Sequence, residues 1–221
     1  MSTTDSTLDP QSPMRELPIE PQPNPVLSRI MFWGAVAFIL GYCATLLGAF
    51  GVQLGLGEFP CPLCMVQRYA MILATLPAMW IVIEDLRGTL TRGRYVRSLG
   101  LSIIASVCGA VESTRQILLH IKPGDPGYGG AVLGMHLYTW ALITFVIVIL
   151  YCGVAMTLNR YAVPLAPTTP ALRGVAWGVC WLFIAIIAAN VIAIILLEGF
   201  ALVLPDDPTY YNLLHQLGIG V

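Results

Sequence analysis

The chain has 221 residues, of which 57% are apolar and only 10% charged, and its formal net charge is −1. Ordinary soluble domains are roughly a quarter charged, so this composition excludes a soluble globular protein and points to a chain mostly embedded in a membrane. No basic stripe and no RNA-binding aromatic motif is present, which excludes nucleic acid as a partner.

Residues 1–27 are polar and proline-rich, with acids at Asp5, Asp9, Glu16 and Glu20. They lack the basic start and apolar core of a cleavable signal peptide and read as a disordered tail ahead of an uncleaved first span. Span one is expected from about Ile30 to Leu54, uncharged and long enough to cross roughly 30 Å of hydrocarbon. A short loop then delivers Cys61 and Cys64, and span two follows from about Leu63 to Ile83, with Pro77 as a kink and Glu84 and Asp85 closing it. The next loop carries Arg87, Arg92, Arg94 and Arg97. Span three covers about Ser98 to His120, with Glu112, Arg115 and Gln116 towards its far end. The connector Ile121 to Val132 is dominated by glycine and proline and reads as an irregular turn. Span four runs from about Gly134 to Leu158 behind His136, Tyr138 and Trp140; span five covers about Gly174 to Leu197, with Asn190 bonding to a neighbouring helix.

The expected architecture is therefore an all-α integral membrane protein. Residues 28–158 make a four-helix transmembrane bundle, 159–204 an inner loop and a fifth span at its edge, and 205–221 an outer C-terminal tail. Short arginine-rich loops stay in the cytoplasm. Arg29, the four-arginine loop, Arg160 and Arg173 fall on one side, so the N-terminus lies inside, and the cysteine loop and C-terminus lie outside. Arg68, Arg115 and Lys122 go against this trend, and the first two lie within spans.

Six cysteines are present. Cys43, Cys108, Cys152 and Cys180 fall inside spans, where single cysteines act as small apolar residues. Cys61 and Cys64 are paired at an interface and face an oxidising compartment. A structural zinc site wants four ligands, and no second Cys/His pair is spaced to supply them. Heme attachment needs histidine where Met65 stands. A four-residue ring braces little chain, so a redox-active disulfide is the better reading than a structural one. If the helix starts near Leu63, Cys64 sits in its first turn, where free amide groups favour a thiolate.

Arg68 then lies one turn on, on the same face as Cys64. It either meets a polar ligand such as a quinone carbonyl, or snorkels, or pairs with Glu58 or Glu112. Arg115 pairs with Glu112 at i,i+3 by default and, near the outer end of its span, is a candidate to line the same cavity. His136 is a candidate for proton handling or quinone contact, against membership of an interfacial aromatic belt with Tyr138 and Trp140.

The run Cys61-Pro62-Leu63-Cys64-Met65-Val66-Gln67-Arg68-Tyr69, behind a short outer loop at the start of span two, resembles the DsbB family of membrane thiol–quinone oxidoreductases. So does the order of spans and loops over about Ile30 to Leu158. The resemblance implies that Cys64 is the quinone-facing cysteine, Arg68 a quinone-binding residue and Cys61 the thiol that exchanges with a partner. It further implies a bacterial cytoplasmic (inner) membrane protein. Such a protein reoxidises an exported thioredoxin-like dithiol protein and passes two electrons to ubiquinone or menaquinone.

The most serious departure from the family pattern is in the connector, Ile121 to Val132, which lacks the second outer cysteine pair; the fifth span and the outside C-terminus are additions to that pattern. Either the dithiol attacks Cys61–Cys64 directly, across a face that the short connector leaves uncovered, or a second polypeptide supplies the missing pair, or the thiol substrate differs. The competing classes are a non-catalytic DsbB-like scaffold and a heme- or metal-binding subunit using His120, His136 and Cys61/Cys64. Five spans without an inverted repeat carry no transporter signature.

Overall fold

The computed structural model describes residues 23–55, 57–125, 127–201 and 210–218. Most of the polar N-terminal tail and parts of the C-terminal tail lie outside them. Five long helices dominate: α1 (Pro25–Gly55), α2 (Pro62–Leu86), α3 (Arg92–Leu119), α4 (Leu137–Leu158) and α5 (Pro170–Glu198). A two-residue hairpin, β1 (Ala131–Val132) with β2 (Met135–His136), precedes α4, and a short α6 (Asn212–Gln216) follows α5.

All five long helices are long and apolar enough to cross a membrane. They present to their surroundings Leu101, Ile104, Val107 and Val111 on α3 and Ile147, Leu150 and Val154 on α4, each about half exposed or more. Such an apolar belt suits lipid, not water. The protein is an all-α integral membrane protein.

Three helices, α1, α3 and α5, begin several residues earlier than hydropathy suggests, and in the first two polar caps extend them beyond the apolar core. α1 starts at Pro25, where the Asn24 side chain accepts hydrogen bonds from the Val26 and Leu27 amides at 3.0 and 3.3 Å. α3 starts at Arg92, capped by Thr91, whose hydroxyl accepts from the Arg94 amide at 3.3 Å. Glu84 at the end of α2 pairs with Arg94 at 2.8 Å, which ties these two ends together.

Within the bundle, α3 turns a face of small and polar residues inward: Ser98, Ser102, Ser106, Gly109, Ser113 and Gln116 are buried. Small residues let membrane helices approach closely. Ser102 donates to the Ala74 carbonyl of α2 at 2.8 Å, beside the turn where Pro77 cannot donate an amide hydrogen. On the α4 side, the Phe145 ring sits where a Cβ on Gly109 would stand, 2.3 Å from its nearest atom. Gly109→Ala is therefore expected to destabilise the bundle by about 1–3 kcal/mol, while Gly100→Ala, with nothing within 4 Å of its Cβ, leaves stability level or slightly raised. Thermal unfolding of both variants in detergent measures the difference, and equal midpoints would rule out this packing.

α5 packs along α1 and α2, away from α3 and α4. Its Asn190 differs from expectation: the side-chain amide donates to the Ile186 carbonyl of its own helix at 2.9 Å and not to a neighbour. Serine and asparagine side chains can return to the preceding turn when no partner helix offers an acceptor. Cys43, Cys152 and Cys180 are buried apolar members of the core, whereas Cys108 lies exposed among the apolar side chains of α3.

Candidate active site

The site is built on the first turn of α2. Cys61 is the N-cap residue in extended conformation, and Pro62 occupies the first helical position, where its missing amide hydrogen costs nothing. The Cys61 sulfur accepts the Cys64 amide hydrogen at 3.2 Å, so the first cysteine caps the helix that carries the second. Cys61 is only 7% exposed. Its thiol is held well above the usual range, first by its side-chain hydrogen bond with the Cys64 sulfur and then by burial, against the lowering pull of the Cys64 amide.

Two glutamines complete the sulfur environment. Gln116 of α3, fully buried, points its amide nitrogen at both sulfurs, 3.4 Å from Cys61 and 3.6 Å from Cys64. Gln67 of α2 donates to the Gln116 oxygen at 2.7 Å, which fixes that amide with its donor end towards the cysteines. Cys64, Gln67 and Arg68 all border one cavity of about 470 Å³ between α1, α2 and α4, whose other walls include Leu46, Val52, Met71 and Ala141. That volume and the predominance of apolar walls suit a drug-sized apolar ligand with a few polar contacts.

Arg68 is 7% exposed and makes no ion pair with a carboxylate among the described residues. Its guanidinium donates to Gln53 Oε1 at 2.9 Å and to the Ala49 carbonyl at 3.2 Å, and lies 5.4 Å from the Phe50 ring centre. The positive charge is thus held on neutral acceptors. Neither Glu58 nor Glu112 reaches it. Glu58 instead accepts from the Gly130 amide at 3.0 Å, and Glu112 pairs with Arg115 at 3.7 Å.

The connector between α3 and α4 does not leave the cysteine loop uncovered, contrary to the expectation from its shortness. The Tyr128 hydroxyl donates to the Phe59 carbonyl at 2.7 Å, and the Gly130–Glu58 bond adds a second tie. Glycine makes this possible: Gly127 and Gly129 both adopt φ near +70°, and the His136 ring occupies the space a side chain on Gly127 would fill. Asp125 accepts from the Gly127 amide and from His120, which holds its carboxyl below the usual range.

Of the remaining candidates, His136 does not border the cavity. Its ring stacks on Tyr138 at 5.2 Å and 11°, and it is Tyr138 that lines the wall. Arg115 faces a separate shallow groove of α3 with Val107, Val111 and Leu118. The structure brings Cys61, Cys64 and Arg68 together and leaves His136 behind Tyr138 and Arg115 on another face. Gln116, Gln67, Gln53 and Tyr128 are site residues that the motif alone did not single out.

Comparison with known proteins finds relatives over the bundle. The chain is 28% identical over 151 residues to "Disulfide bond formation protein B 1" of Pseudomonas fluorescens, covering 54% of this chain and 86% of that protein. It is 42% identical over 92 residues to "Disulfide bond formation protein B" of Xanthomonas euvesicatoria, covering 40% of this chain and 51% of that one. No solved structure matches it. The model of the family "Disulfide bond formation protein DsbB" matches residues 31–155, which include α2 with both cysteines and Arg68, Gln116 on α3 and most of α4: the chain belongs to the DsbB family.

Proposed function

We propose that this membrane oxidoreductase of disulfide formation takes electrons from an exported, thioredoxin-like dithiol protein through Cys61 and Cys64 and delivers them to a membrane quinone. The observation that carries this reading is the convergence of Cys64 and Arg68 on one apolar cavity. A quinone fits it: the head needs a hydrogen-bond donor for a carbonyl, which Arg68 and Gln67 supply, and the tail needs the apolar walls that α1 and α4 supply.

In the oxidised pair, a substrate thiolate attacks Cys61 Sγ; the Cys61–Cys64 bond breaks and Cys64 leaves as a thiolate. The helix N-terminus, the Gln116 amide and the Arg68 charge all favour that leaving group. The substrate's second thiolate then attacks its own sulfur in the mixed disulfide, which frees Cys61 and completes the substrate disulfide. The pair now holds two electrons more than before. A quinone held beside Arg68 and Cys64 would supply the oxidising power, as acceptor of the two electrons and two protons that Cys61 and Cys64 give up when their S–S bond re-forms. Gln116 orients both sulfurs, and the apolar walls exclude water from Cys64.

Cys61 is covered, so attack requires the connector to swing off its Tyr128–Phe59 and Gly130–Glu58 hydrogen bonds. The partner approaches directly or through a second polypeptide carrying the cysteine pair that the connector lacks. The arginine distribution supports an orientation with the N-terminus in the cytoplasm and this face outside. The same cover supports a second reading, a non-catalytic member that only binds.

Purified protein given a thioredoxin-like dithiol and a soluble quinone analogue tests both. Dithiol-dependent quinone reduction is expected, with Cys61 and Cys64 resistant to a thiol-alkylating mass tag when oxidised quinone is abundant. A pair that stays alkylatable under excess quinone would overturn the catalytic reading and leave the binding one.

A further inference from the structure

The C-terminal part of the chain lies outside the family match, yet α5 carries it back to the cysteine end of the bundle. α5 stops at Gly199, whose φ of +62° and ψ of −154° are essentially restricted to glycine. α6 docks against this turn. The Gln216 side chain accepts from the Phe200 amide at 2.8 Å, and a Cβ on Gly199 would stand 3.1 Å from the Leu213 nitrogen. Docked this way, α6 presents its N-cap residue, Tyr211, to the site. The Tyr211 ring meets Phe59, two residues before Cys61, edge-on at 5.0 Å. Its hydroxyl accepts a hydrogen bond from the Gln53 amide at 3.4 Å.

Gln53 is the residue whose oxygen holds Arg68 Nη1. It is 3% exposed, so its amide nitrogen and oxygen each need a protein partner, and they find Tyr211 on one side and Arg68 on the other. An amide has two ends: whatever holds the nitrogen also decides where the oxygen points. With the nitrogen unheld, the amide is free to turn, and Arg68 loses one of two acceptors that set the plane of its guanidinium.

We propose that Tyr211 is a positioning residue for this site, acting through Gln53 on Arg68, and that the fifth helix and α6 therefore belong to the working centre and are not an appendage. The proposal rests on the reading above in which Arg68 faces the quinone. Removing the Tyr211 hydroxyl leaves a buried donor unpaired and loosens Arg68, at the cost typical of one lost hydrogen bond. The ring contact with Phe59 is retained in Tyr211→Phe, so the cysteine loop keeps its support.

The test uses two readouts. The first is equilibrium binding of a soluble benzoquinone analogue, followed by tryptophan fluorescence, in a redox-inactive Cys61→Ser/Cys64→Ser parent. Adding Tyr211→Phe is expected to weaken binding roughly three- to tenfold. Gln53→Met is expected to weaken it at least as much, and Tyr211→Phe added to Gln53→Met to do nothing further, because the link is already broken. The second readout is turnover in the active protein, where Tyr211→Phe raises KM for the quinone analogue and leaves kcat and the dithiol KM unchanged. Gly199→Ala, which displaces α6 and carries the Tyr211 ring and hydroxyl away with it, is expected to raise the KM for the quinone analogue at least as much. A parent that does not bind the analogue brings down the quinone reading and this inference with it. A parent that binds, with Tyr211→Phe binding equally well or adding its full effect on top of Gln53→Met, overturns the inference alone.

Discussion

Replacing Cys64 with serine is expected to lower dithiol-dependent quinone reduction by at least about a thousandfold, because residues that act as one unit fail together. Cys61→Ser is expected to fall to the same floor, and the double variant no further. The two sulfurs form one exchange unit: Cys61 caps α2 and accepts the Cys64 amide, and one glutamine reaches both sulfurs. Serine keeps the size of the side chain and the cap but cannot form the S–S bond. In the Cys64→Ser protein, Cys61 should remain open to the mass tag whatever the quinone level, once exchange with any partner is quenched by acid. Cys108→Ser provides the contrast. That thiol is exposed on the outward face of α3, and its loss should leave turnover at the parent level. A Cys64→Ser protein that turns over within tenfold of the parent would remove the pair from the mechanism.

Much of this was written in local pattern. Spans separate by hydropathy alone, and Cys61-Pro62-Leu63-Cys64 announces both a redox pair and a helix start, since proline suits the first helical position and a capping atom precedes it. The same-face placement of Arg68 follows from the period of the helix. Caps moved the boundaries outward by several residues because Asn24 and Thr91 extend helices through polar sequence that hydropathy ignores.

What local pattern did not carry was each residue's partner. Gln116 stands 52 residues from Cys64, and Gln53 stands 15 from Arg68. A glutamine in an apolar span advertises only that it needs a partner; which one depends on how α3 packs on α2. The signal nearest to usable was the spacing of Ser98, Ser102, Ser106, Gly109 and Ser113, which puts Gln116 on a small-residue face that must meet another helix. The buried state of Cys61 was similarly hidden. Glycines in the connector read as a turn with little to cover anything. In the fold they let the backbone itself lie flat against the cysteine loop, so that an amide of Gly130 and the hydroxyl of Tyr128 do the covering.

Arg68→Met is expected to raise KM for the quinone analogue about 10- to 100-fold, the range for a hydrogen bond made by a charged group. The effect has two sources. Methionine fills similar space but leaves the cavity without the buried cation that borders it, and it strands Gln53 Oε1, which now points at an apolar side chain. Arg68→Lys should fall between, since an ammonium keeps the charge but cannot reach both acceptors and a ligand through one planar fork. The exchange half-reaction offers the discriminating control. Attack on Cys61 by a substrate thiolate depends on the capped helix end and on Gln116 as well as on Arg68. Single-turnover reduction of the pre-oxidised pair should therefore slow far less in Arg68→Met than quinone-dependent reoxidation does. If reoxidation and exchange slow equally, Arg68 acts on the cysteines and not on the oxidant; if neither slows, the cation serves only to hold α1 against α2.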